Sequence, residues 1–165
     1  MVSDFVRKAD EIGKDKRDFY LSPSRWRTSE VGFNLTWSHV KFTERNRGVV
    51  PTTPGVYAFI VQHDNGHFPP HGFIMYIGIT GSRNTERTLQ KRYYDYLQEQ
   101  KRGKRPRVHY MLDKYCDDIY FYYVSIDDEG VDLEKLELDL NDAILPPVVV
   151  KDFSGEIRAL VGALR

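Results

Sequence analysis

The sequence predicts a mixed α/β fold of the α+β type: a small three-stranded antiparallel sheet flanked by helices, in the order β-β-α-α-β-α. Three observations lead there. Two runs rich in β-branched and aromatic residues, VYAFIV at 56–61 and FIMYIGI at 73–79, are joined by the loop-forming stretch HDNGHFPPH at 63–71 and read as an antiparallel hairpin. Apolar residues recur at helical spacing at Leu89, Tyr93, Tyr96 and Leu97, and again at Leu133, Leu136, Leu140 and Ile144. The 165 residues, 41% hydrophobic and 13% aromatic, supply the core of one domain and leave no material for a second.

Residues 1–50 form an N-terminal accessory segment. A short helix is expected over 3–12, where Phe5, Val6 and Ile12 are too few apolar positions to hold it alone. Phe33, Leu35, Trp37, Val40 and Phe42 then suggest an extended piece lying against the main body. The main domain spans 51–151. Pro54-Gly55 turns the chain into the first strand, and Gly81 to Asn84 turn it out of the second. Thr85-Glu86 open a helix that runs to about Arg102-Gly103, and a shorter helix over 108–115 follows the Pro106 break. The third strand covers 119–126, the turn 127–130, and the last helix 132–145, stopped by Pro146-Pro147. Residues 152–165 are left as a C-terminal tail.

Twenty-four basic residues balance 24 acidic ones, so no whole-molecule attraction to a polyanion exists and any nucleic-acid surface must come from uneven distribution. The distribution is uneven. From Arg83 to Arg107 nine basic residues face three acidic ones; from Asp113 to Asp142 eleven acidic residues face two lysines. The basic members are Arg83, Arg87, Lys91, Arg92, Lys101, Arg102, Lys104, Arg105 and Arg107. Interleaved aromatics turn this run from a merely solvated face into a candidate phosphate-tracking surface. A single cysteine, Cys116, excludes an internal disulfide and multi-cysteine zinc sites, and it is expected to pack between helix and strand. The amino terminus has no apolar run of signal-peptide length, and no stretch approaches the roughly 18 apolar residues of a membrane span, so a cytoplasmic protein with no membrane partner is expected.

Tyr57 and Tyr76 stand on the two hairpin strands, where tyrosines of neighbouring strands either fill the core or present their hydroxyls to one side. Arg92 lies between Leu89 and Tyr96 at spacings of three and four, bordering the apolar face of its helix, which calls for an anionic partner or ligand. Glu137 repeats this with opposite sign at the edge of the Leu133 to Ile144 stripe, to be answered by a cation such as Arg92 or by a divalent metal. His63, His67 and His71 recur every four residues, but Gly66 and Pro69-Pro70 forbid the helix that would make them ligands.

Together these residues resemble the GIY-YIG nuclease family. Pro54-Gly55-Val56-Tyr57 corresponds to its first signature and Tyr76-Ile77-Gly78 to its second. Leu89-x-x-Arg92-x-x-x-Tyr96 is similar to the helix that carries its catalytic arginine. Leu136-Glu137-x-x-Leu140, with Pro146 nine residues past the glutamate, is similar to the segment supplying its metal-binding glutamate. The likeness covers roughly residues 51 to 151 and departs from the family at Ile79, at the long stretch between Gly78 and Leu89, and at Val149, near which a family asparagine would fall. The resemblance implies a hydrolase: an endonuclease cutting phosphodiester bonds of nucleic acid, DNA above all, with Mg²⁺ or Mn²⁺ held by Glu137. Tyr57 is then the general base, Arg92 the charge stabiliser, and Tyr76 and Tyr96 hold the phosphate by their hydroxyls. A monomer or weak homodimer is expected. The alternative is a catalytically silent nucleic-acid-binding module that keeps the fold.

Overall fold

A computed structural model of the chain describes residues 3–29, 31, 34–82 and 86–165. In chain order the elements are α1 (Asp4–Gly13), α2 (Pro23–Thr28), β1 (Ser38–Lys41), a 3-10 helix (Glu44–Val49), β2 (Gly55–Gln62), β3 (Gly72–Thr80), α3 (Leu89–Arg102), α4 (Pro106–Lys114), β4 (Ile119–Ser125), α5 (Leu133–Ile144) and α6 (Gly155–Leu164).

The α+β class holds, but the sheet has four strands rather than three, in the order β1-β4-β2-β3 and antiparallel throughout. The added strand, SHVK, is too short and polar to show a period-two pattern. It becomes a strand because β4 offers it an unpaired edge, with Val40 opposite Phe121. Leu35 and Trp37, just before it, pack against the face of the sheet that α5 covers, whereas Phe33 lies outside the described residues.

Period-two alternation divides the strands between two cores. Tyr57, Phe59 and Phe121 point to the side covered by α3 and α4, where Leu89, Tyr93, Tyr96 and Leu97 meet them. Val56, Ala58, Ile77, Ile79 and Val124 point to the other side, against Leu133 and Leu136 of α5. The hairpin register breaks once. Phe59 pairs with Tyr76 but Ile60 with Ile74, so Met75 is the extra residue of a bulge. Met75 therefore turns into the α3/α4 core beside Tyr76, and its carbonyl accepts the Val148 N–H at 3.1 Å. That bond ties the chain after α5 to the open edge of β3.

Helix α3 starts later than Thr85-Glu86. Thr88 is its N-cap, its hydroxyl accepting from the Lys91 N–H at 3.2 Å, while residue 86 lies in a turn and Thr85 outside the described residues. Gly103 closes the helix in the left-handed conformation at φ 63°. The C-terminal segment ends in α6, whose Ile157 and Val161 pack with Val149 and Phe153 in a third small core. Arg165 secures it by donating to the carbonyls of Val149 and Pro146 at 2.6 and 2.8 Å. Helix α1, capped by Ser3, buries no residue. Among the described residues no helix is long and apolar enough to cross a membrane.

The segment before residue 51 thus fills core volume. Phe42 is 3% exposed and Val50 1%, the former ring-to-ring with Phe59 and Tyr93 at 5.1 and 4.7 Å. Phe42→Ala should cost ~3–5 kcal/mol, the range for a buried aromatic truncated in a packed core. Urea denaturation checks this, and a loss under about 1 kcal/mol would mean the segment is only draped on the domain.

Candidate active site

Four elements supply the candidate side chains: Tyr57 from β2, Tyr76 from β3, Arg92 and Tyr96 from α3, and Glu137 from α5. The tyrosines come together because Tyr57 pairs across the hairpin with Gly78 rather than with a side chain. A Cβ at 78 would stand 2.5 Å from the Tyr57 hydroxyl oxygen and 2.7 Å from its Cζ, so only glycine leaves room for the phenol. The hydroxyl passes over that notch to the Tyr96 hydroxyl, 2.9 Å away. The Tyr57 ring lies nearly parallel to Phe121 at 5.3 Å and to Tyr76 at 6.3 Å.

Tyr57 and Tyr96 are both fully enclosed, whereas Tyr76 is only partly buried. Burial pushes the Tyr57 phenol well above its usual range, and the hydroxyls of Tyr96 and Tyr76 push it further. Arg92 opposes them, favouring the phenolate by its charge. Burial raises Tyr76 in the same way, with Tyr96 next in weight. Arg105 places its guanidinium over the Tyr96 ring at 4.8 Å. It is held there by Glu99, itself only 8% exposed, which accepts the Arg105 backbone N–H at 2.5 Å and faces its side chain at 3.6 Å. In the sequence Glu99 is one negative charge within a basic run; its positioning role needs the turn between α3 and α4 to fold back, and spacing does not reveal that.

The phenols around Arg92, Tyr57 foremost, raise its guanidinium above its ordinary value against the opposing effect of burial. Its side chain is one-third exposed and reaches Asp95 only at 3.8 Å, while its Nε is buried without a hydrogen-bond partner. A guanidinium this poorly answered suits an anionic ligand. Glu137 is its counterpart. Burial raises its carboxyl from 4.5 to about 7, Asp152 adds like-charge repulsion, and the Ile79 backbone N–H and Arg92 pull the other way. Asp152 also acts on Tyr76. It lies between Val149 and Phe153, which pack with Tyr76. No motif singles out Asp152, because the bond from Val148 to Met75 that brings its segment to the β3 edge is a tertiary contact. One turn past Glu137 on α5, Asn141 is fully buried with both side-chain polar atoms unpartnered.

Two neighbouring carboxylates and an orphaned amide suit a hard divalent cation, which takes oxygen donors and, in the case of Mg²⁺, keeps several waters. Among the described residues no group of three or more His, Cys, Asp or Glu gathers in metal-holding geometry.

The basic run divides in two. Arg87 is bound to Asp95 at 2.8 Å, Lys91 donates to the Glu86 carbonyl at 2.7 Å, and Lys101 faces Glu44 at 3.5 Å. Arg102, Lys104 and Arg107 are exposed where α3 turns into α4, and Arg105, between them in sequence, is the one that reaches Tyr96. Arg83 lies outside the described residues. The loop histidines answer each other instead of the site, His63 Nε2 and His71 Nδ1 being 3.0 Å apart. Cys116 is exposed, contrary to expectation, because it falls in the turn after α4 and not beneath it. No family model, curated protein or solved structure matches this chain.

The raised Glu137 carboxyl has a thermodynamic consequence. A carboxyl that binds its proton more tightly when folded stabilises the fold fully below about 4.5, and that contribution is lost as pH rises through about 7. In metal-free buffer, Glu137→Gln should therefore melt progressively higher relative to wild type as pH climbs across this window, with the gap levelling off above it. A gap independent of pH would mean that Glu137 titrates normally.

Proposed function

We propose that this chain is a metal-dependent endonuclease of the GIY-YIG kind, hydrolysing phosphodiester bonds of nucleic acid, with DNA as the preferred substrate. The observation that carries this reading is the convergence of Tyr57, Tyr76 and Tyr96, with the Tyr57 and Tyr96 hydroxyls 2.9 Å apart and the Tyr76 ring against both, beside a poorly answered Arg92 and with Glu137 of α5 acting on Tyr76. Cluster members that are distant in sequence influence one another's protonation, a pattern found at reaction sites more than in plain cores.

Arg92, with an unanswered Nε and a partly exposed side chain, neutralises charge developing on the phosphoryl oxygens. Tyr76, the cluster's partly exposed tyrosine, donates its hydroxyl to the phosphate. Tyr96 stays beneath Arg105 and serves by fixing Tyr57 through the 2.9 Å contact; direct phosphate contact by Tyr96 requires Arg105 to swing away. Tyr57 takes the proton of the attacking water, which demands loss of its own proton beside the Arg92 cation. Glu137, with Asp152 beside it, would hold Mg²⁺ or Mn²⁺, which when bound supplies Lewis acidity to a phosphate oxygen and to the leaving alkoxide.

One observation favours the rival reading, a binding module without turnover. Tyr57 is wholly enclosed and its dissociation is opposed by burial, the state of a phenol that never acts as a base. Cleavage assays separate the two. Glu137→Gln should keep the fold and DNA binding and lose cleavage in Mg²⁺ or Mn²⁺, and wild type should lose cleavage in excess chelator. Full activity of either would eliminate the proposed chemistry, and an inactive wild type that still binds DNA would select the module.

Binding itself is tested by salt. Replacing Arg102, Lys104 and Arg107 with Ala should weaken binding to all sequences alike and flatten the dependence of log K on log salt by nearly one unit per lost phosphate contact, ~0.9 for duplex DNA. An unchanged slope would return the run to an ordinary solvated surface.

A further inference from the structure

A cleft of about 370 Å³ lies between α4, the β3 bulge and the chain after α5. Its floor is Met75, Met111 and Val148, and its walls are Tyr110 and Tyr115. Met75, on its floor, packs in the same core that Tyr76 borders, which links the cleft to the site. Tyr110 is 51% exposed, an unusual position for a tyrosine whose ring borders an apolar cavity. Arg17, from the connector after α1, reaches in from the far end. Its guanidinium lies 5.3 Å from the Tyr110 ring centre and 5.9 Å from that of Tyr115, and it donates to the Tyr110 hydroxyl at 2.6 Å. Arg107 lines the near end and has no anionic partner among the described residues, and its charge also bears on Arg165.

We infer that this cleft is a nucleobase subsite, which takes one unstacked base of a single strand against Tyr110 while Arg107 and Arg17 face the flanking phosphates. The inference rests on the nuclease reading for its substrate and narrows that substrate. The volume lies within the range of about 300–1,000 Å³ usual for small-molecule sites, and its lining is mainly apolar, as the face of a base requires. Among the described residues both charged lining groups are arginines and no carboxylate lines the cleft, which matches a polyanion rather than a cationic or neutral peptide. An aromatic platform with flanking cations is the general means of holding single strands without reading their sequence. A base paired within a duplex cannot enter, so substrates with unpaired nucleotides beside the scissile bond are favoured.

The test measures binding by anisotropy of a labelled oligothymidylate and of a labelled duplex, in chelator so that nothing is cut. Tyr110→Ala removes the platform and Tyr110→Phe keeps the ring; both are surface changes, and melting curves verify their folding. Tyr110→Ala should weaken oligothymidylate binding roughly tenfold, the loss of about one stacked base, while the Phe variant and the duplex affinities change little. Equal loss for both probes, or no loss, overturns the subsite. So does displacement of the oligonucleotide by an uncharged apolar peptide at lower concentration than by thymidine monophosphate. The readout is independent of turnover: binding through Tyr110 in a chain that never cleaves upholds the subsite and refutes the nuclease reading, while cleavage by wild type with single-strand affinity indifferent to Tyr110→Ala does the reverse.

Discussion

The hydroxyl of Tyr57 occupies the notch left by the missing side chain of Gly78, and the geometry around the site follows from that fit. With the phenol lying across the neighbouring strand, its oxygen emerges beside α3 and meets Tyr96 at 2.9 Å. This contact fixes the approach of α3 to the sheet, and α3 carries Arg92 as well. The same fit excludes water from the phenol, so burial raises the Tyr57 phenol well above its usual range while the Arg92 cation opposes the rise.

Burial near the β3 edge sets up opposite charges that are only partly answered. Arg92 has a distant carboxylate and an orphaned Nε, while Glu137 has a like-charged neighbour in Asp152. Stability alone would favour apolar replacements for such groups, because an incompletely satisfied buried charge costs more than it returns. The cost is offset by the two aromatic and aliphatic cores on either face of the sheet, which do not depend on the charged groups. A rigid scaffold thus holds a strained electrostatic arrangement, which is how reaction sites are commonly built.

The bulge at Met75 has two effects. It turns Met75 and Tyr76 toward the same core, and it presents a carbonyl that Val148 captures. The captured chain covers part of the β3 edge, brings Asp152 within electrostatic reach of Glu137, and supplies part of the floor of the cleft under Tyr110. Helix α6 and Arg165 then hold that chain in place. The C-terminal residues are therefore part of the site's framework although none carries a proposed chemical role except Asp152.

Local pattern is enough to read the elements with strong internal periodicity: the hairpin of β2 and β3, the long strand β4, and the three helices α3, α4 and α5, together with the five residues brought to the site. These are legible because alternation and helical spacing involve near neighbours, and because an arginine or glutamate on the edge of an apolar stripe is costly wherever the stripe is buried. The fourth strand, the docking of α6, the burial of Tyr57 and the arrival of Asp152 all depend on contacts between distant parts of the chain. Strand β1 has four residues and no pattern of its own, and it is a strand only because β4 has an edge to fill. Asp152 carries no motif, since its significance depends on a backbone bond from Val148 to Met75 that no local pattern relates, and Glu99 gains its role only once the turn at Gly103 brings Arg105 back to it.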